Sequence, residues 1–202
     1  MATNEYLNKS IVYAGSDIFS IPSLQRLLDL KYKKIIVLTK PPKRQGRGMK
    51  VKNNPLAQFS SEQNIETLIP DDLNDGGLLE RLKEIKPEVL ITSAYGKIVS
   101  ETLLDIFSLG NINIHPSLLP RWRGPSPIES AILEGDKETG VTLMRMTEEL
   151  DAGPIYAQQA IPLGEESTER LTQKLSLLAA NMLESFLPSF LEGADGAKEQ
   201  NE

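Results

Sequence analysis

Short apolar runs alternate along the chain with segments whose apolar residues recur at helical spacing. Residues 9–15, 34–39 and 87–93 are such runs, bounded by polar residues, Gly or Pro, which predicts buried strands. The segments between them place Leu and Ile three or four residues apart, which predicts amphipathic helices. Strands that alternate with helices at this spacing predict right-handed parallel crossovers. We therefore expect a single α/β domain with a mostly parallel sheet flanked by helices.

Residues 111–124 hold the only histidine and the only tryptophan of the chain. The first five, Asn-Ile-Asn-Ile-His, alternate polar and apolar, which predicts a short strand with Asn111, Asn113 and His115 on one face. Pro116 lacks the N–H that a sheet needs and ends the strand. Asn113 and His115 would lie about 6–7 Å apart along the backbone, an amide donor beside an acid–base group. Acyl transfer to an amine needs both, a donor for the developing oxyanion and a group that handles the amine's proton.

Asp151 is a carboxylate that could complete this set. Gly153 and Pro154 follow it, which predicts a turn, and turns at strand ends often carry functional groups. Each residue also has a plain structural interpretation, because a His-Pro pair can form a corner after a strand and an Asp can cap its own turn. The functional interpretation therefore depends on the combination of the three residues.

Composition restricts the type of protein. With 202 residues, 40% of them hydrophobic, the chain can bury the core of one domain. It has no cysteine and one histidine, which excludes disulfides, thiolate metal sites and His-rich metal sites. No apolar run approaches a membrane span, and residues 1–5 lack the basic-then-apolar order of a secretory signal. We expect a cytoplasmic monomer without a metal or a membrane partner.

The charge is unevenly distributed. The net charge is −6, yet residues 31–52 hold nine of the 22 basic residues and no Asp or Glu. Such a concentration on an otherwise acidic chain indicates a polyanionic partner better than the net charge does. Residues 40–55 contain too many prolines and glycines for a regular element, so we expect a long exposed loop. On composition alone, a binding loop and a solvated linker both remain open.

Three short motifs resemble those of the folate-dependent formyltransferases. They are Asn113-x-His115, the Ser-Leu-Leu-Pro of residues 117–120 and the Leu-Asp-Ala-Gly of residues 150–153. The Arg-Trp-Arg-Gly-Pro-Ser-Pro-Ile of residues 121–128 is similar to the methionyl-tRNA formyltransferases in particular. The resemblance runs from about residue 11 to about residue 191, and several motifs agree in order.

The resemblance implies a Rossmann-like formyltransferase fold, with residues 1–192 as the catalytic domain. It implies that the formyl group of 10-formyltetrahydrofolate is transferred to the α-amine of methionyl initiator tRNA, for translation initiation. Residues 193–202 are polar and glycine-rich, which predicts a disordered tail. Full-length members carry a C-terminal β-barrel domain that helps to hold tRNA, and we expect none in this sequence.

The resemblance also assigns roles to residues. Asn113 would donate to the oxyanion, and His115 would donate to it when charged or relay a proton, with Asp151 holding the ring and raising its pKa. The folate pocket would be lined by Tyr95, Gly96, Ser117, Leu118, Leu119 and Pro120. The Leu119–Pro120 bond is a candidate for the cis form, since tight corners near ligands are where cis-proline occurs. Residues that would contact tRNA are basic: Lys43, Arg44, Arg47, Lys50, Lys52, Arg121 and Arg123.

Three alternatives remain open. One is another formyltransferase, acting on a sugar-nucleotide amine or a purine precursor; the purine enzyme is disfavoured because residues 14–18 form no glycine-rich phosphate loop. The second is a hydrolase that uses the same three residues with water as acceptor. The third is a catalytically idle RNA-binding module, against which the complete set of three residues argues.

Overall fold

A twisted seven-stranded sheet forms the centre of the protein. The computed structural model describes residues 5–45, 50–194 and 196–201. The strands are β1 (Ser10–Gly15), β2 (Lys34–Leu38), β3 (Lys43–Gln45), β4 (Lys50–Lys52), β5 (Thr67–Leu68), β6 (Val89–Ser93), β7 (Asn111–His115), β8 (Glu138–Met144) and β9 (Ile155–Pro162). The sheet order is β5-β2-β1-β6-β7-β8-β9. The pairs from β5 to β7 are parallel, whereas β7–β8 and β8–β9 are antiparallel. The mostly parallel sheet that the sequence predicts is confirmed.

Helices cover both faces of this sheet. They are α1 (Ile21–Asp29), α2 (Pro55–Glu62), α3 (Gly76–Ile85), α4 (Glu101–Leu104), α5 (Pro127–Leu133) and α6 (Thr168–Leu191), with 3-10 turns at Glu5–Asn8 and Ile18–Ser20. Alternate residues of β1 enter different cores. Ile11 and Tyr13 pack in the layer that contains α1 and α6, whereas Val12 and Ala14 pack in the layer that contains α3 and α4. The result is a three-layer α/β/α arrangement.

Several helix starts follow local sequence signals. Asn54, Asp75 and Ser167 precede α2, α3 and α6, and each side chain accepts a hydrogen bond from a backbone N–H of the first turn. Such caps satisfy donors that have no partner within the helix. Along α6, Leu171, Leu175 and other buried residues recur at helical spacing and form one wall of the larger core.

The segment after β2 differs from what the sequence predicts. Residues 40–55 are not a fully irregular loop, because β3 and β4 pair as an antiparallel hairpin; Arg47 lies outside the described residues. The disorder expected for residues 193–202 stays a prediction, although one backbone pairing of that segment with β9 is described. Lys198 pairs through both backbone groups with Ile155, at distances of 2.7 and 2.9 Å. This single bridge satisfies the backbone groups of one residue of the segment.

The polar face of β7 is covered by a loop and not by a helix of the described chain. Ile112 and Ile114 point into the α1–α6 layer. Asn111 and Asn113 lie opposite Leu90 and Thr92 of β6, on the α3–α4 face. The loop that joins β8 to β9 lies over this face, since the Asn111 Oδ1 atom accepts the Met146 N–H at 2.6 Å. Polar side chains are therefore collected under one loop.

Among the described residues, no helix is both long and apolar enough to span a lipid bilayer.

Gly140 of β8 allows a close approach of three segments. A Cβ atom at this position would overlap the Gln159 carbonyl oxygen of β9, and it would lie 2.6 Å from the Leu118 Cδ2 atom. Next to it, the buried Thr142 hydroxyl donates to the Ser117 carbonyl at 2.7 Å and accepts the Leu119 N–H at 3.2 Å. The missing side chain therefore lets residues 117–119 dock on β8, directly after His115.

Replacement of this glycine should overpack the junction. We expect Gly140→Ala to lower the free energy of unfolding by about 1–3 kcal/mol, the usual range for an overpacked core. Urea unfolding measures the change as a lower midpoint at an unchanged slope. Gly164→Ala is the matched control, because no described atom lies within 4 Å of the place that the added methyl group would take. Equal midpoints for the two variants would contradict the close approach.

Candidate active site

Asn113 lies at the centre of a small polar cluster. The Thr92 hydroxyl donates to the Asn113 Oδ1 atom at 2.7 Å, and the Asn113 Nδ2 atom donates to the Asp151 Oδ1 atom at 3.3 Å. Thr92 thus fixes which end of the amide faces Asp151. An amide nitrogen has two N–H groups. Within the described part of the chain, no side chain or backbone group takes the second one.

His115 is buried, with 5% of its surface exposed. Its Nε2 atom lies 2.9 Å from the Trp122 carbonyl oxygen, which can only accept, so Nε2 carries the hydrogen of the neutral ring. The Nδ1 atom faces the Asp151 Oδ2 atom at 3.6 Å, beyond hydrogen-bond distance. The Trp122 carbonyl therefore selects one tautomer and leaves Nδ1 toward the carboxylate.

The pKa of His115 is shifted down, not up. Burial of the ring lowers this pKa, and burial outweighs the opposite effects of the Asp151 carboxylate and of the Trp122 carbonyl. Our expectation that Asp151 would set the shift was therefore wrong in its net sign. The reason is that a neutral ring is favoured wherever water is excluded from the charged form.

Asp151 lies in the loop between β8 and β9, and its side chain contacts β7. Its backbone is left-handed, with φ 51°, a conformation that Asp tolerates better than most residues. This conformation turns the carboxylate toward β7. The Oδ2 atom accepts the Gly124 N–H at 2.9 Å, while Oδ1 accepts from Asn113. Asn113, His115 and Asp151, which the sequence nominated together, are thus brought together.

The segment between His115 and α5 is held on several sides. The Ser117 hydroxyl donates to the Arg121 carbonyl at 2.7 Å, and the Leu119–Pro120 peptide bond is cis, as the sequence suggested. Arg121 donates to Asp136 through Nε at 3.0 Å and Nη2 at 2.7 Å, and the Trp122 Nε1 atom donates to the same carboxylate at 2.7 Å. These bonds lower the pKa of Asp136.

A cavity of about 900 Å³ reaches Asn111 and Met146, but Asn113, His115 and Asp151 do not line it. It is lined by the segment from Val99 to Asn111, by residues 145–149 and by the end of α6. Met146 lies at the boundary, since it lines the cavity and its sulfur lies 3.3 Å from the Thr92 hydroxyl. Sequence reasoning did not place Met146 in a site, because a lone methionine is usually a core residue.

The residues predicted to line a folate pocket lie outside this cavity. Ser117, Leu118, Leu119 and Pro120 form the turn that docks on β8 and do not line the cavity. The Tyr95 side chain is buried in the α3–α4 core. Gly96, with φ 61°, lies against the Lys40 side chain, whose ammonium would be 2.7 Å from a Cβ atom there.

The basic residues predicted to bind tRNA fall into two groups. Lys43, Arg44, Lys50 and Lys52 are exposed on the β3–β4 hairpin. Arg121 and Arg123 flank Trp122, and both have protein partners, Asp136 and Gln200 respectively.

Across residues 5–45, 50–194 and 196–201, no group of three or more His, Cys, Asp or Glu side chains is placed to hold a metal ion.

The chain is similar to a known protein family and to named members of it. The model of the formyl transferase family matches residues 11–196. A methionyl-tRNA formyltransferase of Caldanaerobacter subterraneus is 40% identical over 185 residues, which cover 91% of this chain and 60% of that protein. One from Coxiella burnetii is 36% identical over 197 residues, which cover 97% of this chain and 63% of that protein. The chain thus spans about three fifths of the length of these relatives.

Solved structures share the fold. A phosphoribosylglycinamide formyltransferase from Bacillus halodurans superposes with a TM-score of 0.76 at 24% identity, covering 93% of this chain and 97% of that one. An N-formyltransferase from Helicobacter canadensis, in complex with folinic acid and dTDP-3-aminofucose, gives a TM-score of 0.73 at 20% identity, covering 96% and 68%. The Rossmann-like formyltransferase fold is confirmed. Because the family model covers nearly the whole chain, the protein belongs to the formyl transferase family.

Proposed function

We propose that this protein transfers the formyl group of 10-formyltetrahydrofolate to the α-amine of methionyl initiator tRNA. The observation that carries the proposal is the meeting of Asn113, His115 and Asp151, with one Asn113 N–H left without a protein partner in the described chain. The names of the relatives, methionyl-tRNA formyltransferases, support this acceptor.

The reaction needs little chemistry from the protein beyond placement and charge stabilisation. The amine nitrogen attacks the formyl carbon, and the electrons of the C=O double bond move to oxygen. The oxyanion then re-forms the double bond as the bond to the folate nitrogen breaks, and the proton lost by the amine ends on that nitrogen. The spare Asn113 N–H is oriented by Thr92 and Asp151, so it can meet the oxyanion without rearrangement.

His115 and Asp151 act as one proton-holding pair. Neutral His115 donates from Nε2 to the Trp122 carbonyl, so its basic nitrogen is Nδ1, which faces Asp151. A proton that reaches either group is held between the two, since the carboxylate stabilises the imidazolium. Burial keeps the ring neutral beforehand, because it lowers the pKa of His115. The pair is therefore ready to accept a proton from the amine.

The cavity offers room for the folate. Its volume of about 900 Å³ is in the range of pockets that hold drug-sized ligands. Val99, Leu104 and Met146 are apolar residues of its lining, and Thr147, Glu148 and Glu149 are polar ones. We place the ring system of the donor here, with its formyl group toward Asn113. Residues 117–120 do not line this cavity, and their predicted contact with the folate stays a prediction.

The hairpin supports a polyanionic acceptor. Lys43 lies directly opposite Lys52 in the antiparallel pair, and Lys50, two residues from Lys52, projects from the same face. Like charges that face each other destabilise a strand pair. A phosphate backbone laid along this face would relieve the repulsion, whereas a solvated linker gains nothing from it. The hairpin thus favours tRNA over a sugar-nucleotide acceptor.

One assay separates the candidates. The protein is incubated with 10-formyltetrahydrofolate and, in turn, with methionyl-tRNA, a sugar-nucleotide amine or water alone. Formyl-methionyl-tRNA as the main product is the expected result. Formate release that is independent of any acceptor would favour the hydrolase, and no turnover at all would favour the RNA-binding module.

Removal of the oxyanion donor should lower the rate of formyl transfer without weakening the binding of the folate donor. We expect Asn113→Ala to lower kcat about 10²–10³-fold, as for other single oxyanion donors, with little change in the affinity for the folate donor. Thr92→Val keeps the shape of Thr92 but removes the hydroxyl that orients the amide, so its effect on kcat should be smaller and in the same direction. Stopped-flow and steady-state kinetics measure both. Wild-type kcat in Asn113→Ala would remove Asn113 from the mechanism.

The single histidine allows a direct test of the proton-holding pair. We expect the NMR titration of His115 to have a midpoint below about 6.5, the ordinary value. Asp151→Asn should lower it further, because the attraction of the carboxylate for the imidazolium is lost. The pKa of His115 is lower in the folded protein than in the unfolded chain, so the unfolded chain binds a proton first as the pH falls. Between these two pKa values, His115 should therefore lower the free energy of unfolding as the pH falls. An upward shift in Asp151→Asn would contradict the pairing.

The hairpin lysines should contribute to the salt dependence of tRNA binding. We expect Lys50→Gln/Lys52→Gln to flatten the slope of log K against log salt by roughly one to two units, at about 0.7–0.9 per phosphate contact. Folate binding should not change. The control is Lys83→Gln/Lys86→Gln, which removes the same charge near the end of α3. These two lysines lie close to the start of β6, whereas the hairpin follows the end of β2. The same slope in wild type and in the hairpin variant would move the sugar-nucleotide acceptor to first place.

A further inference from the structure

Gln200 contacts the loop that carries Asp151. Its Nε2 atom donates to the Asp151 carbonyl and to the Gly153 carbonyl, each at 2.8 Å. Its Oε1 atom accepts from Arg123, at 3.0 Å from Nε and 2.7 Å from Nη2. One amide side chain therefore joins the loop of residues 145–154 to the segment after His115.

The backbone around Gln200 is also held in place. Two residues earlier, Lys198 pairs with Ile155, the first residue of β9, through both backbone groups. Ile155 follows Asp151 by one short turn, so the pairing sets the distance of Gln200 from that turn. The position of Gln200 is therefore supported by a backbone pairing at the start of β9 as well as by its own side-chain hydrogen bonds.

We propose that Gln200 is a positioning residue for the Asp151 carboxylate. This role in catalysis rests on the proposed function, in which Asp151 pairs with His115. Asp151 has a left-handed backbone; its carbonyl oxygen accepts from Gln200, while its carboxylate accepts from Asn113 and Gly124. The two N–H groups of Gln200 hold the Asp151 and Gly153 carbonyls in that orientation. Gln200 acts through these carbonyls and not on a reacting group.

Arg123 strengthens the contact. A guanidinium that donates twice to Oε1 polarises the amide of Gln200 and makes its N–H groups better donors. The Gly124 N–H, next in the chain, donates to the Asp151 Oδ2 atom. The backbone of Asp151 and its carboxylate are therefore anchored to the same short segment, residues 123–124, by two separate routes.

The test compares two variants of Gln200. Gln200→Ala removes all four hydrogen bonds. Gln200→Glu keeps an acceptor for Arg123 but cannot donate to the two carbonyls. If Gln200 acts on the Asp151 loop, both variants should change the position of the Asp151 carboxylate to a similar extent. If Gln200 acts only by holding Arg123, Gln200→Glu should behave like the wild-type protein. Glu199→Ala is the matched control, since the Glu199 side chain next to it is exposed.

Two NMR signals report on Asp151 without any substrate. The Gly124 amide is bonded to the carboxylate, and the His115 ring faces it. We expect the Gly124 amide to exchange with solvent about tenfold faster in both Gln200 variants, the factor expected for the net loss of one or two hydrogen bonds. The His115 ring signal should shift in both Gln200 variants. Glu199→Ala should change neither the exchange rate nor the ring signal.

Kinetics then connect the geometry to turnover. In both Gln200 variants kcat should fall about tenfold, with KM for the folate donor unchanged, because Gln200 does not line the cavity. The proposal would be overturned if Gln200→Ala left the Gly124 exchange rate and the His115 signal unchanged. It would also be overturned if Gln200→Glu behaved like the wild-type protein. A wild-type protein that transfers no formyl group would overturn the proposed function instead, and the NMR signals would still decide the role of Gln200.

Discussion

The arrangement of the site depends on one carboxylate. Asp151 accepts from the Asn113 side chain and from the Gly124 backbone, and it faces the His115 ring. These partners come from a strand and from the segment after it, whereas Asp151 itself lies on a different loop. A carboxylate has enough acceptor positions to serve several donors at once. If its position changes, the orientation of the amide, the loop at Gly124 and the electrostatics of the ring change together.

The sheet topology explains why such a site can exist at β7. The neighbouring strands β5, β2, β1, β6 and β7 pair in parallel, whereas β8 and β9 are antiparallel and are joined by a loop. That loop, and not a helix, covers the polar face of β7. The change from parallel to antiparallel pairing thus leaves a place where buried polar groups can be satisfied by backbone and by one another.

The sequence was informative wherever a signal was local. The alternation of residues 111–115 predicted the strand and its polar face, and the turn residues after Asp151 predicted its loop. Thr92 could have been found from the same logic, because it is a polar residue near the end of a buried strand, but its pairing with Asn113 depends on the register of two strands. Gln200 could not be found at all, since a polar segment has no pattern that specifies a distant partner. The downward shift in the pKa of His115 depends on burial, which follows from packing and not from its neighbours in sequence.

The long separation of the contacts at Asp151 has a consequence for how the molecule is made. The Gln200 amide reaches a carbonyl 49 residues earlier in the chain and an arginine 77 residues earlier. A chain is synthesised from its N-terminus, so Asp151 and the core strands are made before Gln200. The central strands can therefore pair, and the core can close, while the growing chain still has its Asp151 loop unclamped. A nascent chain that has just completed α6 would be folded by most criteria and yet would not have its final geometry at Asp151. The contacts of Lys198 and Gln200 with the Asp151 loop can form only after these two residues have been synthesised.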